Sequence, residues 1–83
     1  MPLYMDRHTI AGGVAVADVA QAHKADLETQ DRYGVTYKAY WVDEKQGNIF
    51  CLVEAPDAET AERVHREAHG LVADEILEVV EGS

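Results

Sequence analysis

The order in which strand-like and helix-like segments alternate along the chain constrains its fold more than any other feature. A strand-like segment, PLYMDRH, comes first, and a segment with helical apolar spacing then runs from Val14 to Gly34, a residue type common at helix C-termini. Two segments rich in β-branched and aromatic residues, VTYKAYWVD and NIFCLVEA, flank the polar turn EKQG. These two segments predict a β-hairpin.

A second helix and a last strand complete the series. Pro56 ends the third strand, Asp57 can cap the helix that follows, and Gly70 ends that helix. DEILEVVE then predicts a fourth strand. The order βαββαβ is that of ferredoxin-like folds, α+β sandwiches in which two helices cover one face of a four-stranded antiparallel sheet. We therefore expect residues 1–83 to form a single ferredoxin-like domain.

The sheet face that the helices leave open predicts self-association. We expect Met5 to face the helices, which places Asp6 and His8 on the open face by strand alternation. An apolar patch would be exposed beside them, formed by Tyr4, Phe50, Leu52, Ile76 and Val80. Because a contiguous exposed patch of this kind usually marks an interface, we expect a homodimer with the open sheet faces opposed.

The charge and the single cysteine argue against several classes of function. Sixteen acidic residues against seven Lys and Arg give a formal charge of -9, with no basic run for a phosphate backbone. Nucleic acid is therefore not an expected partner. One cysteine allows no intramolecular disulfide, and the apolar runs fall short of the roughly 20 residues that span a bilayer. With no leader-like segment in MPLYMDRH, we expect a soluble, cytoplasmic protein without a membrane partner.

Side chains that can bind metals recur on both predicted helices. HREAHG sets His65 and His69 four residues apart, so that they lie on one side of a helix. In the first helix, His23 falls within an apolar face and Asp26 lies at its edge. That face comprises Val16, Val19, Ala20 and Leu27.

Distances along the elements bring these groups to one level of the fold. His23 and His65 each lie roughly 12–13 Å from their helix starts, at about 1.5 Å per residue. Cys51, on the helix-facing side of its strand, lies about 13 Å below the strand's end. Asp26 and His69 come about one turn deeper. Imidazole, thiolate and carboxylate groups that converge in this way predict a site for nickel, copper, zinc or cobalt.

Each of these residues also has a purely structural interpretation. HREAHG can be an ordinary helix end, His23 a hydrogen-bonded core residue, and Cys51 a small buried hydrophobe. Asp6 and His8 are expected on the opposite face, where they could form a second metal site at the dimer interface, since symmetry doubles every ligand there. The alternative is that His8 is a strand-end residue in water.

Several segments resemble the small nickel-binding proteins of bacteria, a family first described as a domain of unknown function. The resemblance covers nearly the whole chain, through YMDRH, AHKADLETQDRYGV, YWVDE, FCLVEAPDAE and VHREAHGLVADEI. It implies a ferredoxin-like subunit, a homodimer, and nickel bound at histidine-rich sites for sequestration or homeostasis rather than catalysis. The residues in the matching segments that could carry this role are His8, His23, His65, His69, Cys51, Asp26 and Asp6.

Two other classes of function remain open at this stage. Dimeric ferredoxin-like barrels can enclose a cavity at the sheet interface and host oxygenase or isomerase chemistry, with His23 and Asp26 as acid-base groups and Tyr40 or Trp41 as a pocket wall. Against an enzyme, no cofactor motif is present in the sequence. A plain interaction module, in which the histidines are structural, predicts no effect of nickel on the melting temperature.

Overall fold

The computed structural model describes residues 2–82 and confirms the ferredoxin-like α+β fold. In chain order the elements are β1 (Leu3–Thr9), α1 (Val16–Thr29), β2 (Thr36–Asp43), β3 (Asn48–Glu54), α2 (Ala58–Ala68) and β4 (Glu75–Val79). The strands form one antiparallel sheet in the order β2-β3-β1-β4. Both helices lie on one face of this sheet, and the apolar core lies between the two layers.

Local signals set the ends of the helices as the sequence indicates. The Asp57 carboxylate accepts a hydrogen bond from the Thr60 backbone N–H at 2.7 Å, which satisfies one of the free N–H groups that begin α2. After α1 the chain makes a 3-10 turn over Gln30–Tyr33 and leaves it through Gly34 at φ 66°. The left-handed conformation at Gly34 is the usual way for a chain to leave a helix.

The β2-β3 turn is locked against the loop before α1. The Ile10 N–H donates to the Gly47 carbonyl at 2.7 Å, and Val14 donates to Glu44 at 3.2 Å. A Cβ at Gly47 would lie 2.0 Å from the Ile10 carbonyl oxygen, and Gly47 has a φ of 77°. Only glycine fits this close approach, which fixes where α1 begins relative to the sheet.

The structure corrects the expected phase of β1. Tyr4, Asp6 and His8 are buried and face the helices, whereas Met5 lies on the open face. Asp6 is the Cα partner of Cys51 on β3, so both side chains point into the same layer. The expectation was wrong because it placed the polar residues outside, and a one-residue change of phase moves every side chain of a strand to the other face.

The buried face of α1 also differs from the expected one. Val16 and Leu27 are 47% and 43% exposed, and the buried residues are Val19, Asp26 and Thr29. Asp26 therefore lies inside the protein and not at the edge of an apolar stripe. The apolar residues of α1 misled the prediction because the inner face of this helix is largely polar.

The open sheet face is apolar, although its membership differs from the expected patch. Phe50 and Leu52 lie on it, but Tyr4 and Ile76 pack in or against the core, and Val80 follows the end of β4 and is 94% exposed. Strand register places other apolar side chains on this face, namely Leu3, Met5, Trp41, Leu77 and Val79. Among residues 2–82, no helix is long and apolar enough to cross a membrane.

Candidate metal centre

The imidazole of His65 lies at the centre of a buried polar network. His65 projects from α2 toward the sheet and is 1% exposed. Its Nδ1 lies 2.9 Å from Asp26 Oδ1 on α1, and its Nε2 lies 2.9 Å from Asp6 Oδ2 on β1. One ring therefore joins the second helix to both the first helix and the sheet.

Two carboxylates, one on each nitrogen, determine the protonation of His65. Since ionised carboxylates only accept hydrogen bonds, both ring nitrogens donate, and the ring is an imidazolium. Burial alone would lower the pKa of His65, but its hydrogen bonds with Asp26 and Asp6 raise it to about 11. Burial would raise the pKa of Asp6, but the hydrogen bond from His65 and the approach of His8 lower it to about 2.

Four buried side chains form what we call the inner group: Asp6, His8, Cys51 and His65. Each supplies one donor atom, and these atoms lie within 4.8 Å of one another. His8 and His65 meet edge to face, with ring centroids 4.9 Å apart. Burial would lower the pKa of His8, but its contacts with Asp6 and Cys51 raise it to about 9.

A second set of donors, the outer group, comprises Asp26, His65 and His69. His69 Nε2 lies 3.1 Å from Asp26 Oδ1, and His69 Nδ1 accepts a hydrogen bond from the Leu71 N–H at 3.1 Å. Since Nδ1 accepts, Nε2 carries the proton and donates to Asp26. Burial would raise the pKa of Asp26, but the hydrogen bonds from His65 and His69 lower it. His65 thus belongs to both groups and offers each a different nitrogen.

The inner group fits a transition-metal ion in both chemistry and hydrogen bonding. His8 Nε2 lies 3.2 Å from Asp6 Oδ1, but the contact is not aligned as a hydrogen bond. Within residues 2–82, Asp6 Oδ1 is the buried side-chain polar atom that lacks a hydrogen-bond partner. A buried carboxylate oxygen in this state is an available ligand. Together, the carboxylate, the two imidazoles and the thiol are donors that suit borderline divalent ions.

Tyr37, from the aromatic segment VTYKAYWVD, is part of this environment, although it was not among the candidate site residues. Its ring centroid lies 4.5 Å from that of His65, and its hydroxyl donates to the Ala61 carbonyl at 2.8 Å. Tyr37 pairs with Val53 on the helix-facing side of β3, which is the same side as Cys51. The pairing of β2 with β3 could have placed Tyr37 on the helix-facing side. An aromatic face in that position stabilises a neighbouring cation.

His23 lies outside both groups of donors. Its ring packs on Tyr40 with centroids 4.6 Å apart, and it lines a pocket of about 220 Å³ between α1, α2 and the sheet. The floor of this pocket includes His8, Cys51 and His65. The expectation that Asp6 and His8 form a separate site at a dimer interface is wrong, because both belong to the inner group.

The fold and this network define a class, a ferredoxin-like protein with a buried His/Asp/Cys cluster whose donors suit a transition metal. A family model described as nickel responsive protein SCO4226-like matches residues 4–79. The crystal structure of SCO4226 from Streptomyces coelicolor A3(2) is similar, with a TM-score of 0.90 and 40% sequence identity. The match covers 98% of this chain and 99% of that chain. No curated protein matches. The chain belongs to the SCO4226-like family of nickel responsive proteins.

Proposed function

We propose that this protein binds nickel, or a similar divalent transition metal, and serves metal sequestration or homeostasis. The observation that carries the proposal is the inner group, in which four buried donors approach within 4.8 Å. Burying two imidazoles, a carboxylate and a thiol together costs free energy unless they are paired or hold an ion. The description of the family as nickel responsive supports nickel as the ion.

Within this proposal, the two groups have different roles. Asp6, His8, Cys51 and His65 would hold the ion, which supplies the positive charge that the two histidines carry as protons in the metal-free protein. Asp26 accepts from His65 Nδ1 at 2.9 Å and so orients the ring from behind while Nε2 faces the inner group. Carboxylates placed behind metal-binding histidines commonly have this function. His69 in turn orients Asp26 through its 3.1 Å contact.

Protons must leave when the ion is bound. The pKa values of His65 and His8 are about 11 and about 9, so both rings are protonated at neutral pH. A ligating nitrogen has to give up its proton, while His65 Nδ1 can keep its own and its bond to Asp26. Binding at the inner group therefore exchanges a metal ion for protons, and it weakens as the pH falls.

Elemental analysis of untagged protein tests the proposal. The protein is incubated separately with nickel, zinc, copper and cobalt and then dialysed, and the retained metal is measured in three samples: wild type, Cys51→Ser and the double variant His65→Ala/His69→Ala. We expect the wild type to retain nickel and both variants to lose metal from the inner group. Arg66→Ala, an exposed neighbour on α2, is the matched control. A wild type that stays empty with every metal contradicts the proposal.

The same proposal includes a homodimer in the cytoplasm. Its support is the open sheet face, where Leu77 and Trp41 are 54% and 51% exposed, and where Met5 and Leu52 pair across adjacent strands. Apolar side chains this exposed on one sheet face are typical of an interface. The single cysteine, buried and free, suits a reducing compartment.

An enzyme is the second candidate, and the 220 Å³ pocket is the observation that favours it. The pocket lies on the helix side of the sheet and not between two sheets, and both His23 and Asp26 line it. Tyr40 packs on His23, whereas Trp41 faces the open side and is not a pocket wall. Turnover of a small substrate that survives chelation would favour the enzyme, and loss of all ligand binding on chelation would count against it.

A further inference from the structure

Side chains that can bind metals become steadily more buried along the pocket. Asp18 is exposed and His23 is half-buried, and both line the pocket. The His69 side chain is 14% exposed and that of Asp26 is 3% exposed. His65 follows at 1%, where the inner group begins. The pocket is thus lined by donors whose exposure falls from that of Asp18 to that of His65.

The burial of His23 is intermediate between that of the exposed Asp18 and that of the outer group. His23 precedes Asp26 by three residues on α1, a rise of about 4.5 Å, and lies on the same side of the helix. The His23 ring packs on that of Tyr40, with ring centroids 4.6 Å apart. His23 is a member of neither donor group. Neither the fold nor the proposed ion site assigns a role to this histidine.

The remaining pocket wall offers an ion no ligands of its own. Apolar side chains separate the donors there, contributed by Ile10, Val14, Val19, Ala22, Ile49 and Leu71. A divalent ion that has lost its water shell is strongly disfavoured beside such groups. Donors spaced along the passage lower that barrier, because the ion exchanges its ligands stepwise.

We propose that the pocket is the route by which the metal ion reaches the inner group, and that His23 captures the ion and passes it to Asp26 and His69. This inference rests on the proposed function. In it, His23 and the outer group set the rates of loading and release, and Asp6, His8 and Cys51 set the affinity. His65, which faces both groups, belongs to each stage.

The division between rate and affinity has a clear kinetic consequence. A residue that acts only on the route lowers the barrier equally in both directions. Its loss slows association and dissociation by the same factor and leaves the dissociation constant unchanged. A residue of the inner group behaves in the opposite way, since its loss accelerates release and weakens binding.

Stopped-flow absorption with cobalt or nickel tests the assignment. The charge-transfer band of a Cys51 thiolate bound to the ion reports the inner group alone, so ions bound elsewhere do not contribute. His23→Phe keeps a ring against Tyr40 and removes both nitrogens, and His23→Asp restores a donor. Lys24→Ala, the exposed neighbour on α1, is the matched control. Release is measured by transfer of the ion to excess chelator.

We expect His23→Phe to slow both loading and release about tenfold or more, the effect of about 1.4 kcal/mol on a barrier. The final amplitude and dissociation constant should stay those of the wild type, and His23→Asp should recover much of the rate. Unchanged rates in a folded His23→Phe protein would overturn the inference. Weakened affinity with unchanged loading would also overturn it, since His23 would then be a ligand.

Two further results distinguish a failure of the proposed metal binding from a failure of the proposed route. A wild type that takes up no metal refutes the proposed function, and this inference with it. A wild type that loads normally while His23→Phe loads equally fast refutes only the route. If His23→Phe does not fold, as judged by circular dichroism, His23→Leu takes its place with the same expected outcome.

Discussion

Replacing His65 with leucine tests whether an imidazolium holds the buried network together in the metal-free protein. Asp6 and Asp26 are 0% and 2% exposed, and each accepts from one nitrogen of His65 at 2.9 Å. His65→Leu leaves both carboxylates buried without their shared cation. Removing one partner of a buried ion pair costs about 3–5 kcal/mol, against a total of roughly 5–15 kcal/mol for a typical domain. We expect a loss of this size in the free energy of unfolding.

The same network predicts how wild-type stability depends on pH. The folded-state pKa of His65 is raised from 6.5 to about 11, so its contribution is complete below pH 6.5 and is lost as the pH rises toward 11. The linkage slope is about 1.4 kcal/mol per pH unit for one proton, or about 3 kcal/mol over two units. The pKa of Asp6 is lowered from 3.8 to about 2, so its contribution is present above pH 3.8 and is lost below it.

Urea unfolding followed by circular dichroism, with chelator present, measures both effects. Wild type and His65→Leu are compared at several values between pH 6 and about pH 8.5, most of which lie between the pKa of 6.5 for an unperturbed histidine and the folded-state pKa of about 11. The difference between them should be greatest at the acidic end and should shrink as the pH rises. Arg66→Ala is the exposed control on the same helix. Equal midpoints for wild type and His65→Leu, with parallel pH profiles, would refute a charged His65.

Three further predictions concern the ion, the interface and the helix cap. Nickel binding at neutral pH should release two to three protons per ion, one from each of the two imidazolium rings and one where the Cys51 thiol binds as a thiolate. Binding should then strengthen about 100- to 1,000-fold per pH unit, as calorimetry in buffers of different ionisation enthalpy would show. Binding without proton release would contradict ligation by His8 and His65. Leu77→Lys places a charge on the open face and should convert a dimer into a folded monomer by light scattering, whereas an unchanged mass would place the interface elsewhere. Asp57→Ala removes the acceptor of the 2.7 Å bond from Thr60 and should cost about 1 kcal/mol in urea unfolding, with Asp57→Ser, which keeps a capping oxygen, as the control.

The sequence was most informative where structure depends on neighbouring residues. The cap at Asp57 and the helix end at Gly34 follow from backbone chemistry within a few residues, and the structure shows both. Alternation along NIFCLVE placed Cys51 toward the helices, and Cys51 is buried there. The β-hairpin and the βαββαβ order follow from the same local patterns.

Prediction from the sequence failed where polar side chains are buried. Asp6 and His8 were assigned to the open face, and Asp26 to a helix edge, because an isolated charged group inside a protein is strongly disfavoured. Each is buried because a partner makes its burial tolerable: His65, on another element, is the partner of both carboxylates, and Asp6, on the same strand, is the partner of His8. These partners are up to 59 residues apart in the chain.

Sequence alone therefore determined the elements, their order and the residue types able to bind a metal, since propensity, capping and periodicity are local properties. Only the tertiary structure decided which faces of β1 and α1 turn inward. It also decided that His65 stands between Asp6 and Asp26, while His23 stays outside the cluster on the pocket wall. The physical reason is that the free energy of a buried charge depends on its partner across space, and that partner is not encoded in the residues beside it.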